Sequence, residues 1–156
     1  MDKPLNINYI DYSIATRSLD IFFAGCNRRC EGCFNKELMD FNNGTDFTEW
    51  LPKIEFYLDS YKNMIERVFL LGGSPNHQNP ELMETFLIGL KRRCKDVKIY
   101  AFCGEGIDDV QPVLKEYCDF IKVGAYKPEL TCDDNIQYGI KLATSNQVIL
   151  KKGEGY

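Results

Sequence analysis

Short apolar runs alternate along the chain with segments in which apolar residues recur at helical spacing. Four of the runs predict buried strands, because each is short and is closed by Gly or Cys. They cover residues 18–25 (SLDIFFAG), 66–71 (ERVFLL), 97–102 (VKIYAF) and 119–124 (DFIKVG). An additional strand is predicted near the start of the chain, over 6–16, and a last short strand over 147–150 (QVIL).

Three segments between the strands have the spacing of amphipathic helices. The first covers residues 48–61, and either Thr45 or Asp46 is placed to cap it. The second begins near Pro80, a residue that is favoured in the first turn of a helix. The third covers residues 107–117 and is predicted to be interrupted near Pro112, since proline lacks the N–H that a helix interior needs.

Alternating strands and helices predict parallel βαβ units and therefore an α/β fold. About five or six strands are too few for a closed eight-stranded barrel of roughly 250 residues. We therefore expect a partial (open) parallel β/α barrel. Since the chain shows no repeat, linker or low-complexity stretch, residues 1–156 are interpreted as a single domain.

Gly or Cys follows each of the four central strands. In α/β folds, ligands bind at the carboxyl ends of the strands, and glycine lets the backbone approach a ligand closely. The pattern predicts a ligand site at this edge of the sheet. The residues concerned are Gly25-Cys26, Gly72-Gly73, Cys103-Gly104 and Gly124.

The composition is that of an ordinary globular chain, with 44% hydrophobic and 27% charged residues among 156. A domain of this size can bury a core without disulfides, so disorder of the whole chain is not expected. The formal net charge of −4 argues against a nucleic-acid partner. A local basic group nevertheless accompanies the cysteines, formed by Arg17, Arg28, Arg29 and Lys36.

Cellular location is inferred from what the sequence lacks. No stretch is apolar for long enough to span a bilayer, and the first residues have no apolar signal core. We therefore expect a cytoplasmic protein without a membrane partner. In that reducing compartment, seven cysteines indicate metal ligation or free thiols rather than disulfides.

Three cysteines, Cys26, Cys30 and Cys33, form a C-x3-C-x2-C motif on the loop after the strand over 18–25. Thiols this close can converge on one iron–sulfur cluster, and three of them leave one iron of a 4Fe–4S cluster without a protein ligand. A zinc site, or an electron-transfer cluster completed by a fourth cysteine, is the alternative. That alternative is disfavoured because no second cysteine pair follows and His77 is the only histidine.

The remaining candidate residues have simpler interpretations. Cys94 and Cys118 lie in or beside helices, where a free cysteine most often packs in the core. Cys103 either packs or lines the predicted site. His77 is interpreted as a surface or hydrogen-bonding residue rather than a catalytic base, and Cys132 as a loop residue without a metal role.

The cysteine motif resembles the signature of the radical S-adenosylmethionine superfamily. Within that superfamily, residues 25–35 (GCNRRCEGCFN) resemble the activating proteins of anaerobic (class III) ribonucleotide reductase. Further segments resemble that family in the same order: 71–75 (LGGSP) its Gly-Gly-Asp-Pro, 102–104 (FCG) its Tyr-Thr-Gly, and 144–147 (TSNQ) its Gly-Ser-Asn-Gln. The resemblance spans about residues 17–150, nearly the whole chain.

The resemblance implies a fold of the radical S-adenosylmethionine type and an oxidoreductase mechanism. One 4Fe–4S cluster would be ligated by Cys26, Cys30 and Cys33, with S-adenosylmethionine on the fourth iron. A flavodoxin-like donor would supply one electron. Cleavage would give methionine and a 5′-deoxyadenosyl radical, which takes hydrogen from a glycine of the reductase large subunit. Contacts to S-adenosylmethionine are expected from Gly32, Cys33, Phe34, Gly72, Gly73, Ser74 and Cys103.

The sequence departs from the family pattern at two places. Ser74 stands where an acidic residue would face the amino group of S-adenosylmethionine, and residues 13–16 (SIAT) stand where the family is usually Gly-rich. Two other functions remain open. One is activation of another glycyl-radical enzyme, or radical chemistry on a small molecule. The other is a non-enzymatic iron–sulfur or zinc protein.

Overall fold

A seven-stranded sheet forms the centre of the molecule in the computed structural model, which describes residues 3–26, 39–93 and 95–156. The strands run in the order β3-β1-β2-β4-β5-β6-β9, and β7 and β8 form a separate hairpin. The strands are β1 Asn6–Ser13, β2 Ser18–Phe23, β3 Thr45–Asp46, β4 Arg67–Gly72, β5 Lys98–Phe102, β6 Phe120–Val123, β7 Ile136–Gln137, β8 Ile140–Lys141 and β9 Val148–Lys151. The helices are α1 Phe47–Ser60, α2 Pro80–Arg93 and α3 Pro112–Tyr117.

The four central strands β2, β4, β5 and β6 are parallel to one another. The α/β class predicted from the alternating pattern is therefore confirmed. The flanking strands differ from a purely parallel sheet, because β1 and β9 run antiparallel to their neighbours β2 and β6. A direct hairpin reverses the chain between β1 and β2, whereas helices connect the parallel strands.

The three predicted helices are confirmed, and two details of their ends follow local chemistry. Asp46 caps α1, since its carboxylate accepts a hydrogen bond from the backbone N–H of Thr48 at 3.0 Å. The segment over 107–117 is divided as predicted, into a 3-10 turn over Ile107–Asp109 and α3, which starts with Pro112. Within the parts of the chain that the structure describes, no helix combines the length and apolar character needed to cross a membrane.

The two faces of the sheet are covered by different parts of the chain. All three helices pack on one face, where strand residues such as Ile21, Leu70 and Ile99 contact helix residues such as Phe86 and Leu114 in the main core. On the other face, a smaller cluster joins three aromatic strand residues to the segment that follows β6. Its buried members are Phe69, Tyr100, Phe120, Ile140, Leu142 and Ile149.

Candidate active site

The carboxyl ends of the parallel strands meet at one edge of the sheet, as their spacing in the sequence predicted. Phe23 of β2 pairs with Gly72 of β4, and the N–H of Gly73 donates to the carbonyl of Phe23 at 2.9 Å. At the next two strands, the N–H of Cys103 donates to the carbonyl of Lys122 at 2.8 Å. Gly72, Gly73 and Cys103 therefore lie along the same edge as the Gly25-Cys26 pair.

Close packing of the chain explains why glycine occupies two of these positions. Gly25 and Gly72 both have positive φ, at 111° and 109°. An added Cβ would lie 2.0 Å from the ring of Phe41 at Gly25, and 2.4 Å from backbone atoms of Phe23 at Gly72. The protein itself thus requires these glycines at the points where the loops leave β2 and β4.

Cys26 is the predicted iron ligand that the structure describes. It is only 8% exposed, and its N–H donates to the carbonyl of Met39 at 3.2 Å. The other two predicted ligands, Cys30 and Cys33, lie outside the described residues, as do Gly32 and Phe34. The basic residues Arg28, Arg29 and Lys36 lie outside them too, as does Cys94, for which a core position was predicted. Among the residues that are described, no group of three His, Cys, Asp or Glu side chains is arranged to hold a metal ion.

A histidine–glutamate pair lies beside the Cys26 thiol. His77 Nε2 is 2.5 Å from Glu105 Oε2, and the two side chains are only 12% and 15% exposed. The hydrogen bond with Cys26, followed by that with Glu105, raises the pKa of His77 to about 9, although burial opposes the shift. Burial alone would raise the pKa of Glu105, but hydrogen bonds with His77 and Asn76 bring it down to about 2. The pair is therefore ionic at neutral pH.

The hydrogen-bonding interpretation of His77 is confirmed, whereas Glu105 was missed by the sequence analysis. The two residues are 28 positions apart and meet only through the fold. The one available signal for Glu105 was its position just after Cys103-Gly104, at the end of a predicted central strand.

Ser74, at the position where the family resemblance expects an acid, is 4% exposed and faces its own loop. Its Oγ accepts a hydrogen bond from the N–H of Asn76 at 3.2 Å and caps the 3-10 turn Pro75–His77. The serine hydroxyl therefore has a structural partner in the protein, and its remaining O–H can donate one further hydrogen bond.

A buried glutamine, Gln78, links the loops that follow β2 and β4. Its Nε2 donates to the carbonyls of Ala24 at 3.1 Å, Gly25 at 3.2 Å and Ser74 at 2.9 Å. The sequence analysis did not single out this residue. A glutamine in a polar loop has no sequence signature that distinguishes it from a surface residue, because two of its three partners are 53 and 54 positions away.

Two of the cysteines outside the motif pack in the core. Cys103 and Cys118 are both fully enclosed, and burial raises the pKa of the Cys103 thiol to about 12 and that of Cys118 still further. Both thiols are thus neutral at physiological pH, and the core position predicted for Cys118 is confirmed. Lys122 reinforces the edge here, since its Nζ donates to the carbonyls of Cys103 at 3.0 Å and Gly124 at 2.9 Å.

Comparison with known proteins identifies the family. The sequence profile described as "4Fe-4S single cluster domain" matches residues 16–150, which include all three motif cysteines and β2 to β6. The anaerobic ribonucleoside-triphosphate reductase-activating protein of Enterobacteria phage T4 is 30% identical over 112 residues, covering 70% of this chain and 71% of the phage protein. The chain belongs to the family of anaerobic ribonucleoside-triphosphate reductase-activating proteins.

Bacterial members of this activating-protein family give longer matches. The protein of Haemophilus influenzae is 27% identical over 135 residues, covering 83% of this chain and 84% of its own length. That of Escherichia coli K12 is 28% identical over 136 residues, with the same two coverages of 83% and 84%. The family resemblance inferred from the motifs is confirmed, and membership of a 4Fe–4S family favours an iron–sulfur cluster over zinc.

Proposed function

We propose that this protein is a radical S-adenosylmethionine activase that generates a glycyl radical on the large subunit of anaerobic ribonucleotide reductase. The observation that carries the proposal is the meeting of Cys26 with the Gly72–Ser74 loop at the carboxyl edge of four parallel strands. In a chain of the activating-protein family, Cys26, the proposed cluster ligand, and the proposed cosubstrate loop lie at this same edge.

The donor set fits a 4Fe–4S cluster. Cys26, Cys30 and Cys33 are the proposed ligands, and thiolates are the usual ligands of such clusters. When bound, a cluster with one iron lacking a protein ligand supplies the electron that cleaves S-adenosylmethionine to methionine and a 5′-deoxyadenosyl radical. The chain's own contribution would be to orient Cys26, whose buried thiol lies beside the hydrogen-bonded His77–Glu105 pair, and to limit the access of water.

The proposed cosubstrate contacts divide between two loops. Gly72, Gly73 and Ser74 would hold the methionine end, whereas Gly32, Cys33 and Phe34 would contact the adenine. Since the N–H of Gly73 is already bound to the carbonyl of Phe23, we assign the polar contact of this loop to the hydroxyl of Ser74. Cys103, whose neutral thiol is enclosed in the core at the end of β5, would support the pocket wall from behind.

The remaining elements of the proposal concern the whole chain. We infer that residues 1–156 form a single radical S-adenosylmethionine domain whose sheet is a partial barrel, with the helices outside. The protein is proposed to act in the cytoplasm, to take its electron from a flavodoxin-like donor and to dock transiently on the reductase large subunit.

Anaerobic reconstitution followed by dithionite reduction tests the proposal. The wild-type protein should bind about four irons per chain and convert S-adenosylmethionine to 5′-deoxyadenosine and methionine. With the candidate large subunit present, electron paramagnetic resonance should detect a glycyl radical. Cys26→Ala, Cys30→Ala and Cys33→Ala should each abolish cleavage.

Cys132→Ser serves as the matched control, because this half-buried loop cysteine lies outside the motif, and it should leave cleavage unchanged. Full cleavage activity in Cys30→Ala would disprove the cluster assignment. A stoichiometric zinc content without iron would instead support the non-enzymatic alternative.

A further inference from the structure

The Gly25–Cys26 peptide is held from both sides. Its carbonyl oxygen, on Gly25, accepts from Gln78 Nε2 at 3.2 Å, and its N–H, on Cys26, donates to the carbonyl of Met39 at 3.2 Å. Because a peptide unit is planar, fixing both of its polar groups fixes the direction in which the Cys26 Cα leaves the loop. Gln78 thereby helps to determine where the first cysteine of the motif points.

The same Gln78 amide also binds the other loop of the site. Its Nε2 donates to the carbonyl of Ser74 at 2.9 Å and to that of Ala24 at 3.1 Å. An amide nitrogen carries two hydrogens, so the three carbonyls share them around one buried atom. Gln78 itself is 1% exposed, which keeps competing water away from these hydrogen bonds.

A second glutamine fixes the backbone of this loop. Gln111, just before α3, donates from Nε2 to the carbonyls of Gln78 at 2.9 Å and Asn76 at 2.6 Å. Its backbone N–H donates to Asn76 Oδ1 at 2.8 Å, and Asn76 Nδ2 donates onward to the carbonyl of Asp109 at 3.0 Å. The loop that carries the Gln78 side chain is therefore itself held in place by the hydrogen bonds of Gln111 and Asn76.

We propose that Gln78 is a positioning residue that sets the separation between Cys26 and the Ser74 loop, and so between the cluster and the methionine end of S-adenosylmethionine. This inference rests on the proposed function, which assigns the cluster to the Cys26 loop and the methionine end of S-adenosylmethionine to the Ser74 loop. S-adenosylmethionine must contact both loops at once, so loosening one against the other weakens its binding before it affects cluster loading.

Hydrogen exchange of the metal-free protein tests the positioning directly. Gln78→Met keeps the length of the side chain but removes its hydrogen-bond donors. If that variant folds poorly, Gln78→Asn is used instead, because it shortens the side chain by one methylene and so moves the amide away from the carbonyls. We expect the amides of Cys26 and Gly73 to exchange at least about tenfold faster in either variant. Unchanged exchange at both amides would refute the proposal, whatever the outcome of the cluster experiments.

Gln137→Met is the matched control. Gln137 also binds backbone groups through its amide, accepting from the N–H of Ile149 at 2.7 Å and donating to the carbonyl of Gln147 at 3.0 Å, but in the C-terminal hairpin region. Its replacement should accelerate exchange there and leave Cys26 and Gly73 at the wild-type rate.

The reconstituted protein provides the second measurement. Gln78→Met should bind as much iron as the wild type, while its KM for S-adenosylmethionine rises at least about tenfold. Faster amide exchange with an unchanged KM would show that Gln78 has only a structural role, and would overturn the proposal. If the wild type cleaves no S-adenosylmethionine, the proposed function fails, whereas the exchange experiment still measures the contact between the loops.

Discussion

At the scale of single residues, hydrogen bonds between distant loops determine the chemistry of the site. The positions of Cys26 and of the glycines at the ends of the strands were predictable, because they follow apolar runs, whereas the ligand role of the three motif cysteines stays a prediction. Gln78 and Glu105 were not, since their roles depend on partners tens of positions away. The role of such a polar loop residue depends on partners that the fold brings to it, and the residues next to Gln78 in the sequence give no indication of them.

A buried aspartate on the sheet provides a residue-scale prediction about pH. Burial raises the pKa of Asp20 above the ordinary 3.8, and hydrogen bonds from the hydroxyls of Ser18 and Ser13 only partly compensate. The folded protein therefore holds this proton more tightly than the unfolded chain does. Its contribution to stability is present at low pH and is lost as the pH rises through the raised pKa.

Asp20→Asn should remove this part of the pH dependence. Urea unfolding of the metal-free protein between about pH 4 and pH 7 measures it, and the wild-type curve should fall relative to the variant as the pH increases. Asp59→Asn is the control, because that carboxyl is exposed on α1 and is not among the groups that shift the pKa of Asp20. Parallel curves for the wild type and Asp20→Asn would contradict the assignment.

At the scale of elements, the sequence predicted the central strands because each is a short, mostly apolar run that ends at Gly or Cys. It missed β3, which has two residues, and the β7–β8 hairpin, whose strands are too short and too polar to show a period. The direction of the edge strands could not be predicted either, since a strand has the same pattern of apolar and polar residues in a parallel pair as in an antiparallel pair. Direction depends on the connections. Residues 14–17 join β1 to β2 in a hairpin, whereas the longer segment 124–147 leads from β6 to the antiparallel β9.

The turn from β4 into its loop provides the prediction at this scale. Gly72→Ala should lower the free energy of unfolding by at least about 2 kcal/mol, because it combines positive φ with a Cβ 2.4 Å from backbone atoms of Phe23. Thermal unfolding of the metal-free protein is the measurement.

Gly106→Ala is the matched control for that substitution. Gly106 has an ordinary φ of −76°, and no atom lies within 4 Å of an added Cβ. Its replacement should change stability by less than about 0.5 kcal/mol. Equal effects of the two substitutions would show that the close approach of β2 and β4 at Gly72 is not maintained in solution.

At the scale of the whole molecule, the segment after β6 completes the fold by covering the face that the helices leave exposed. Ile140 and Leu142 pack on the aromatic residues of β4, β5 and β6, and the guanidinium of Arg67 donates to the carbonyl of Tyr138 at 2.9 Å. The C-terminal part of the chain is therefore bound to the same sheet that carries the site, on the opposite face from the helices.

Leu142→Ala tests whether the segment after β6 unfolds cooperatively with the rest of the protein. Truncating a buried leucine should lower the free energy of unfolding by about 2–4 kcal/mol, with a single denaturant transition and an unchanged slope. Leu130→Ala, at a half-exposed position in the same segment, should cost less than about 1 kcal/mol. The opposite result would be a loss of hydrogen-exchange protection in the β7–β8 hairpin without a shift of the global unfolding transition. It would mean that the segment after β6 folds independently of the rest of the protein.

The peptide before Cys26 has a consequence for metallation. With its carbonyl bound by Gln78 and its N–H by Met39, the first thiol is oriented in the folded polypeptide before any iron arrives. Part of the entropy lost in ordering a ligand loop is thus incurred during folding rather than during cofactor insertion. If Cys26 ligates iron as proposed, the folded chain offers incoming iron one sulfur whose backbone is already anchored.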